Sequence, residues 1–376
     1  MRRNIKKILV LMMAVMLVFA MTACGSKDEG TDASGDADQE SAQKIGVSMP
    51  TQSLQRWNQD GSNMKEQLEA AGYEVDLQFA GDNDIPTQVS QIENMMSAGC
   101  SVLVIAPINA EALSDVLADA KGKGIQVISY DRLIMNTDAV SYYATFDNWQ
   151  VGTMQGQYIA DTLDLENTDG PYNIELFTGS PDDNNINFFF GGALEVLQPY
   201  IDSGKLVIKS GQTEKAQCAT QDWSTEVAQK RMENLITSQN YGPDKTKLDA
   251  VLSNNDSIAQ GVANALISVA GYKAGSEDFP IITGQDCDKA SMKNMLAGTQ
   301  AMSVFKDTRT LAAQVVTMVD AILKGGEPTI NDSETYDNNN GIIPSYLCEP
   351  VVVTLDNYKE MLIDSGYYTE ADLATE

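Results

Sequence analysis

Short apolar runs rich in Val and Ile alternate with stretches whose apolar residues recur at helical spacing, and that alternation limits the fold more than any other feature. KIGVSM (Lys44–Met49), YEVDLQFA (Tyr73–Ala80), SVLVIAP (Ser101–Pro107) and IQVISYD (Ile125–Asp131) read as strands bounded by turn residues. Between them, Met64–Ala71, Gln88–Ala98 and Ala112–Lys121 read as helices that close on Gly72, Gly99 and Gly122, each suited to a left-handed cap. Such a βαβ series implies a parallel sheet covered by helices on both faces. YNIELFT (Tyr172–Thr178), KLVIKS (Lys205–Ser210), LDAVLS (Leu248–Ser253), FPIITG (Phe279–Gly284) and TQAMSVF (Thr299–Phe305) continue the pattern. The chain has 376 residues, more than the roughly 250 at which a single core tends to divide. The expected class is therefore α/β, with two doubly wound parallel-sheet lobes.

The first residues predict export. Arg2, Arg3, Lys6 and Lys7 precede an apolar run from Ile8 to Met21, shorter than the ~20 residues that span a bilayer and arranged like a secretory signal. MTACG (Met21–Gly25) places small residues before Cys24 and resembles a bacterial lipobox, so residues 1–23 are expected to be a lipoprotein signal peptide and Cys24 the lipidated residue. Residues 24–43 have few apolar groups and several acids, and read as a disordered acidic tether to the membrane.

The formal charge of −28 argues against nucleic acid as a partner, because such binding rests on cations that neutralise phosphates. The chain has no histidine. That excludes Ser-His-Asp and Cys-His catalysis, and zinc held by imidazole. Cys100, Cys218, Cys287 and Cys348 lack metal-ligand spacing and are expected to be small buried residues. No GxxxxGK[ST] loop is present, and no GxGxxG follows a strand. Neither a metal nor a cofactor is implied.

In doubly wound sheets ligands sit beyond the carboxyl ends of the strands. Those positions hold Gln55-Arg56-Trp57, Asp131-Arg132, Phe146-Asp147-Asn148, Asp182-Asp183-Asn184-Asn185, Gln221-Asp222-Trp223, Asn254-Asn255-Asp256, Gln285-Asp286 and Lys306-Asp307. Planar amides, carboxylates, guanidinium and indole together suit a sugar. Each hydroxyl donates and accepts, so Asp or Asn takes neighbouring hydroxyls in pairs, while Arg or Lys donates to ring oxygens. The apolar C–H faces of a pyranose pack on flat rings, and Trp57 and Trp223 are candidates to close on its two sides. Any one of these residues read alone is an ordinary turn, cap or core residue; the recurrence at nearly every strand end is what points to a ligand. The run GSPDDNNINFFFGG (Gly179–Gly192) is expected to cap a helix with its polar half, with Phe188–Phe190 divided between core and cleft.

RWNQDG (Arg56–Gly61), QVSQIENM (Gln88–Met95), VISYDRLI (Val127–Ile134), YYATFDN (Tyr142–Asn148), GSPDDNN (Gly179–Asn185), QPYIDSGKLVIKSGQ (Gln198–Gln212), SNND (Ser253–Asp256), GQD (Gly284–Asp286) and VFKDTR (Val304–Arg309) resemble the sugar-binding proteins of bacterial ABC importers, in the xylose-binding and multiple-monosaccharide-binding branch. The resemblance runs from about Lys44 to the C-terminus. It implies a type I periplasmic binding fold with three hinge crossings, an N-terminal lobe of 44–147 plus 286–345, and a C-terminal lobe of 148–285 plus 346–376. It implies ligand contacts from Arg56, Trp57, Asp131, Arg132, Asp183, Asn185, Trp223, Asn255, Asp286 and Lys306. SNND has one Asn more than the SND of the xylose branch, so either Asn254 or Asn255 fills that role. Ile186 and Asn187 stand where a small residue is expected, which leaves pentose against hexose preference open.

The implied function is capture of a monosaccharide such as xylose, glucose, galactose or arabinose by cleft closure and delivery to an ABC permease, by a lipid-anchored extracytoplasmic monomer that is not an enzyme. The alternative is a sugar sensor that presents ligand to a membrane chemoreceptor or kinase. An enzyme using two carboxylates such as Asp131 and Asp286 is distinguished by release of sugar from glycosides. A LacI-type repressor, which has a related body, is disfavoured by the export signal and the missing basic helix-turn-helix.

Overall fold

The computed structural model describes residues 42–374. The signal peptide, Cys24 and all but the last two residues of the expected tether lie outside them.

β1 (Lys44–Met49), β2 (Glu74–Phe79), β3 (Val102–Ile105), β4 (Gln126–Tyr130) and β5 (Val140–Phe146) join β11 (Ser345–Cys348) in one sheet of order β11-β5-β4-β3-β1-β2. Every neighbouring pair in it is parallel. α1 (Gln55–Ala70), α2 (Ile85–Ser97) and α3 (Ser114–Gly122) are the crossovers, and α10 (Thr308–Leu323) packs beside α1 over the same sheet. β3 is buried at all four positions, as a strand covered on both faces must be.

The second lobe repeats the plan. β6 (Tyr172–Phe177), β7 (Leu206–Val207), β8 (Ala250–Ser253) and β9 (Ile281–Ile282) form a parallel sheet of order β7-β6-β8-β9. α4 (Asn148–Thr162) packs against α5 (Asn185–Asp202), and α7 (Thr225–Gln239) against α8 (Asp256–Ala265). A parallel bridge from Gln285 to Val304 carries the sheet on to β10 (Ser303–Phe305), which pairs antiparallel with β12 (Val351–Val353). α6 (Lys215–Cys218), α9 (Lys289–Leu296) and α11 (Glu370–Leu373) complete the helices.

The chain passes between lobes three times: from β5 to α4, from β10 to α10, and from β11 to β12. Two lobe boundaries therefore differ from the sequence expectation. Residues 286–306, assigned to the first lobe, follow the second sheet through the Gln285–Val304 bridge and β10, and the first sheet keeps β11 as far as Cys348. A single apolar strand does not reveal which of two similar sheets it will join. The Gly122 cap also moves: α3 runs through Gly122, and the left-handed residue is Gly124 at φ 74°. Gly72 (φ 95°) and Gly99 (φ 83°) take the expected conformation.

Candidate functional site

Parallel strands deliver their next residues to one edge of each sheet, and the two edges face each other. After β1 come Arg56 and Trp57 in the first turn of α1; after β4, Asp131 and Arg132; after β6, Asp183 and Asn185 at the head of α5. Trp223 stands in a tight helical turn ahead of α7, and Asn255 is the N-cap of α8. Asp286 follows the Gln285 bridge and Lys306 follows β10. All ten expected residues line one cavity, together with Leu54, Phe189, Ser257, Gln285 and Asp288.

Arg56 organises the floor. Its Nε donates to Asp60 Oδ2 at 3.1 Å and its Nη1 to Asp286 Oδ1 at 3.3 Å, while Nη2 pairs with Asp131. Lys306 Nζ reaches the same Asp286 Oδ1 at 2.9 Å. Burial penalises the guanidinium, but Asp131, Asp60 and Asp286 outweigh it and raise its pKa further. Asp131 shows the complement: burial pushes its carboxyl up, yet Arg56, Lys306 and Arg132 together hold it below the usual range. Asp60 lies beneath, accepting from Tyr130 and Arg56, and burial prevails there to push it up to about 6.

The lobes are tied across the cleft. Arg132 Nε lies 2.9 Å from Asp183 Oδ2, and its Nη1 donates to Ile108 O at 3.3 Å. Burial still raises the Asp183 carboxyl against the pull of Arg132. Asn185 Nδ2 donates to Asp131 O at 2.8 Å, and the Ala110 N–H donates to Asp182 O at 3.1 Å. Asn255 spends Oδ1 on the Ile258 N–H at 3.0 Å and so keeps its Nδ2 free of that cap. Asn254 turns away and donates to Gln155 Oε1 at 2.8 Å. Of the two alternatives, Asn255 faces the cavity.

The aromatic residues divide the work. The Trp57 ring carries guanidinium groups of Arg56 and Arg132, 5.5 and 5.1 Å from its centroid, so part of its face holds cations rather than standing open. Trp223 meets Phe189 edge-on at 6.2 Å, and its Nε1 is buried without a protein partner. The three phenylalanines separate: Phe188 packs on Tyr336 of the first lobe, Phe189 borders the cavity, and Phe190 enters the second core.

Backbone strain gathers at the cavity walls. Asp131 (φ 58°), Trp223 (φ 55°) and Asp286 (φ 98°) have left-handed backbones without being glycine. Each such residue costs on the order of 1–3 kcal/mol, which the surrounding contacts must offset. An outer cavity shares Leu54, Trp57, Arg132 and Trp223 with the inner one and has Asp82, Asp182, Asp222 and Glu226 in its walls. Among the described residues no group of His, Cys, Asp and Glu is arranged to hold a metal ion, and all four cysteines are buried and unpaired.

Two doubly wound lobes, three crossings, and a cleft whose polar groups come from both sides define a two-lobed binding protein. The chain belongs to the periplasmic binding protein domain family, which matches residues 45–327. It is 53% identical over 327 residues, 87% of this chain and 90% of the other, to the multiple sugar-binding periplasmic protein SbpA of Azospirillum brasilense. It is 36% identical to the D-xylose-binding periplasmic protein of Escherichia coli, over 88% of this chain and 92% of that one. Among solved structures, the ABC transporter solute-binding protein of Clostridium phytofermentans with bound β-D-glucose is 63% identical, with a TM-score of 0.84 over 88% of this chain and all of the other.

Proposed function

We propose that this protein captures a single neutral aldopentose or aldohexose outside the cytoplasm and delivers it to an ABC permease, without turning it over. The observation that carries this reading is the joint cavity. Arg56, Trp57, Asp131 and Arg132 from the first lobe face Asp183, Asn185, Trp223, Asn255, Asp286 and Lys306 from the second. A ligand held by both sets stabilises the closed arrangement, which is the form a permease recognises. The carboxylates and amides pair with sugar hydroxyls, Arg132 and Lys306 donate to ring oxygens, and Trp223 covers an apolar face. The names of the relatives support a sugar: SbpA is a multiple sugar-binding protein, and the Clostridium phytofermentans structure holds glucose. The MTACG run supports a lipid at Cys24 as the tether of a monomeric receptor, which mass spectrometry of the mature N-terminus tests.

The deciding experiment unfolds and refolds the protein to shed carried-over ligand, then follows thermal unfolding with xylose, glucose, galactose and arabinose. A ligand that binds only the native state raises its apparent stability; at a hundredfold excess over Kd the gain is about 2.7 kcal/mol. At least one aldose is expected to raise Tm by several degrees and to bind with a micromolar Kd, about −8 kcal/mol. Indifference to all four sugars would overturn the reading.

A further inference from the structure

Asp288 immediately precedes α9, yet its side chain caps nothing there. It lines the cavity, and its Oδ1 is shielded from solvent without a hydrogen-bond partner. The nearby cations are engaged elsewhere: Arg56 Nη1 and Lys306 Nζ both contact Asp286 Oδ1, at 3.3 and 2.9 Å. The Asp288 backbone N–H donates to Asp256 Oδ2 at 2.9 Å, which brings a third carboxyl close. Asp286 (φ 98°) and Cys287 (φ 52°) both have left-handed backbones, and this costly turn brings the chain back so that Asp288 joins Asp286 at the cavity wall.

We propose that Asp288 is a further ligand-binding residue, meeting a hydroxyl of the bound monosaccharide as a neutral carboxylic acid, so that sugar affinity is coupled to one proton. This rests on the monosaccharide reading of the cavity. A second negative charge beside Asp286 is disfavoured, whereas a neutral carboxyl both donates and accepts, as a sugar hydroxyl does. The groups that face it are Asp286 and Cys287 on its own loop, Arg56 on α1, Lys306 behind β10, Asp256 at the head of α8 and Tyr368 near the C-terminus. Burial, then Asp286, pushes the carboxyl up to about 7 against the pull of Arg56 and Lys306. With no histidine in the chain, few other groups change charge near neutrality. Asp60 also sits high, at about 6, but it lies beneath Arg56 and does not line the cavity.

The test is calorimetric titration of the refolded protein with D-glucose and D-xylose from pH 5.5 to 8.5, in buffers of differing ionisation enthalpy. Kd is expected to hold steady below about pH 6.5 and to rise up to roughly thirtyfold by pH 8.5, with up to one proton taken up per sugar at the alkaline end. Asp288→Asn, whose amide is neutral throughout, flattens the profile; Asp288→Ala weakens binding at pH 6 about tenfold; Asp60→Asn keeps the slope. A wild-type protein that binds sugar at pH 6 with a Kd indifferent to pH, or a D288N variant that retains the slope, overturns the role of Asp288 alone. Failure of either sugar to bind at pH 6, where galactose and arabinose fail too, overturns the ligand reading itself.

Discussion

Asp286 receives two cations on one oxygen, and both cations are themselves buried. Replacing it with Ala removes a proposed sugar contact and also leaves Arg56 with less compensation and Lys306 with none within ion-pairing distance, which is costlier than losing the pair as a whole. The expected result for Asp286→Ala is a Kd raised about a hundredfold or more, some 3 kcal/mol, measured calorimetrically at pH 6; a change within threefold would remove Asp286 from the ligand's surroundings. The strand-end rule gathered the stretches that hold the ten cavity residues, since parallel strands all end on the same side, while the choice of those ten among their neighbours came from the family resemblance. Asp288 and Phe189 escaped that rule. Asp288 stands three residues past Gln285 and returns to the cavity only through two left-handed residues whose conformation the letters Asp and Cys do not announce. Phe189 differs from its neighbours only by its angle around α5, and a run of three like side chains hides which one faces the cleft. The partner of Arg132 was hidden too, since Asp131 adjoins it in sequence while Asp183 meets it in space.

α5 carries Asn185 and Phe189 into the cavity, so its position against α4 matters to binding as well as to stability. The two helices approach through glycines: a Cβ on Gly192 would come within 2.2 Å of Trp149 O, and one on Gly152 within 2.1 Å of Phe189 O. Backbone atoms cannot swing aside as a side chain can, so a methyl group there forces the helices apart. Gly192→Ala is expected to destabilise the fold by about 2–3 kcal/mol and to weaken sugar binding several-fold, because Asn185 moves off Asp131 O. Thermal unfolding alongside calorimetry checks both, and a variant with wild-type Tm and Kd would show the contact to be unimportant. In the first lobe β1 to β4 were legible because each is an apolar run of four to six residues bounded by turn residues. In the second lobe β7 and β9 keep only two residues each, and β10 three, where runs of six and seven were expected. Apolar composition reports burial there, while ladder length depends on the neighbouring strand, which sequence does not name.

At the scale of the whole molecule, acid groups outnumber basic ones so heavily that pH acts on the fold as well as on the site. The formal charge is −28, and self-repulsion of that size works against compaction. Three buried carboxyls and the half-buried Asp288 add to it with a definite sign. Burial raises Asp60 to about 6 and Asp288 to about 7, and lifts Asp183 and Asp256 as well. A carboxyl whose pKa is higher in the folded chain than in the unfolded one favours the fold fully only below the unfolded value. That contribution fades as pH rises through the folded value. Asp131 works oppositely: held low, it favours the fold above the ordinary carboxylate range and loses that contribution only on stronger acidification. The ligand-free protein should therefore be most stable near the ordinary carboxylate range, at about pH 4 to 5, and its Tm should fall by roughly 3–6 °C from pH 5.5 to pH 8.5. Added salt at pH 8.5 should restore only part of the loss, since screening reaches exposed charges far more than enclosed ones. The interleaving of the lobes gives the effect its reach: Asp60 belongs to the first lobe, Asp183, Asp256 and Asp288 to the second, and all lie where the two halves meet or at the foot of that meeting. Calorimetric scans across this range decide it, and a Tm that holds constant or climbs toward pH 8.5 would mean that these carboxyls are solvated or paired in the native protein rather than enclosed.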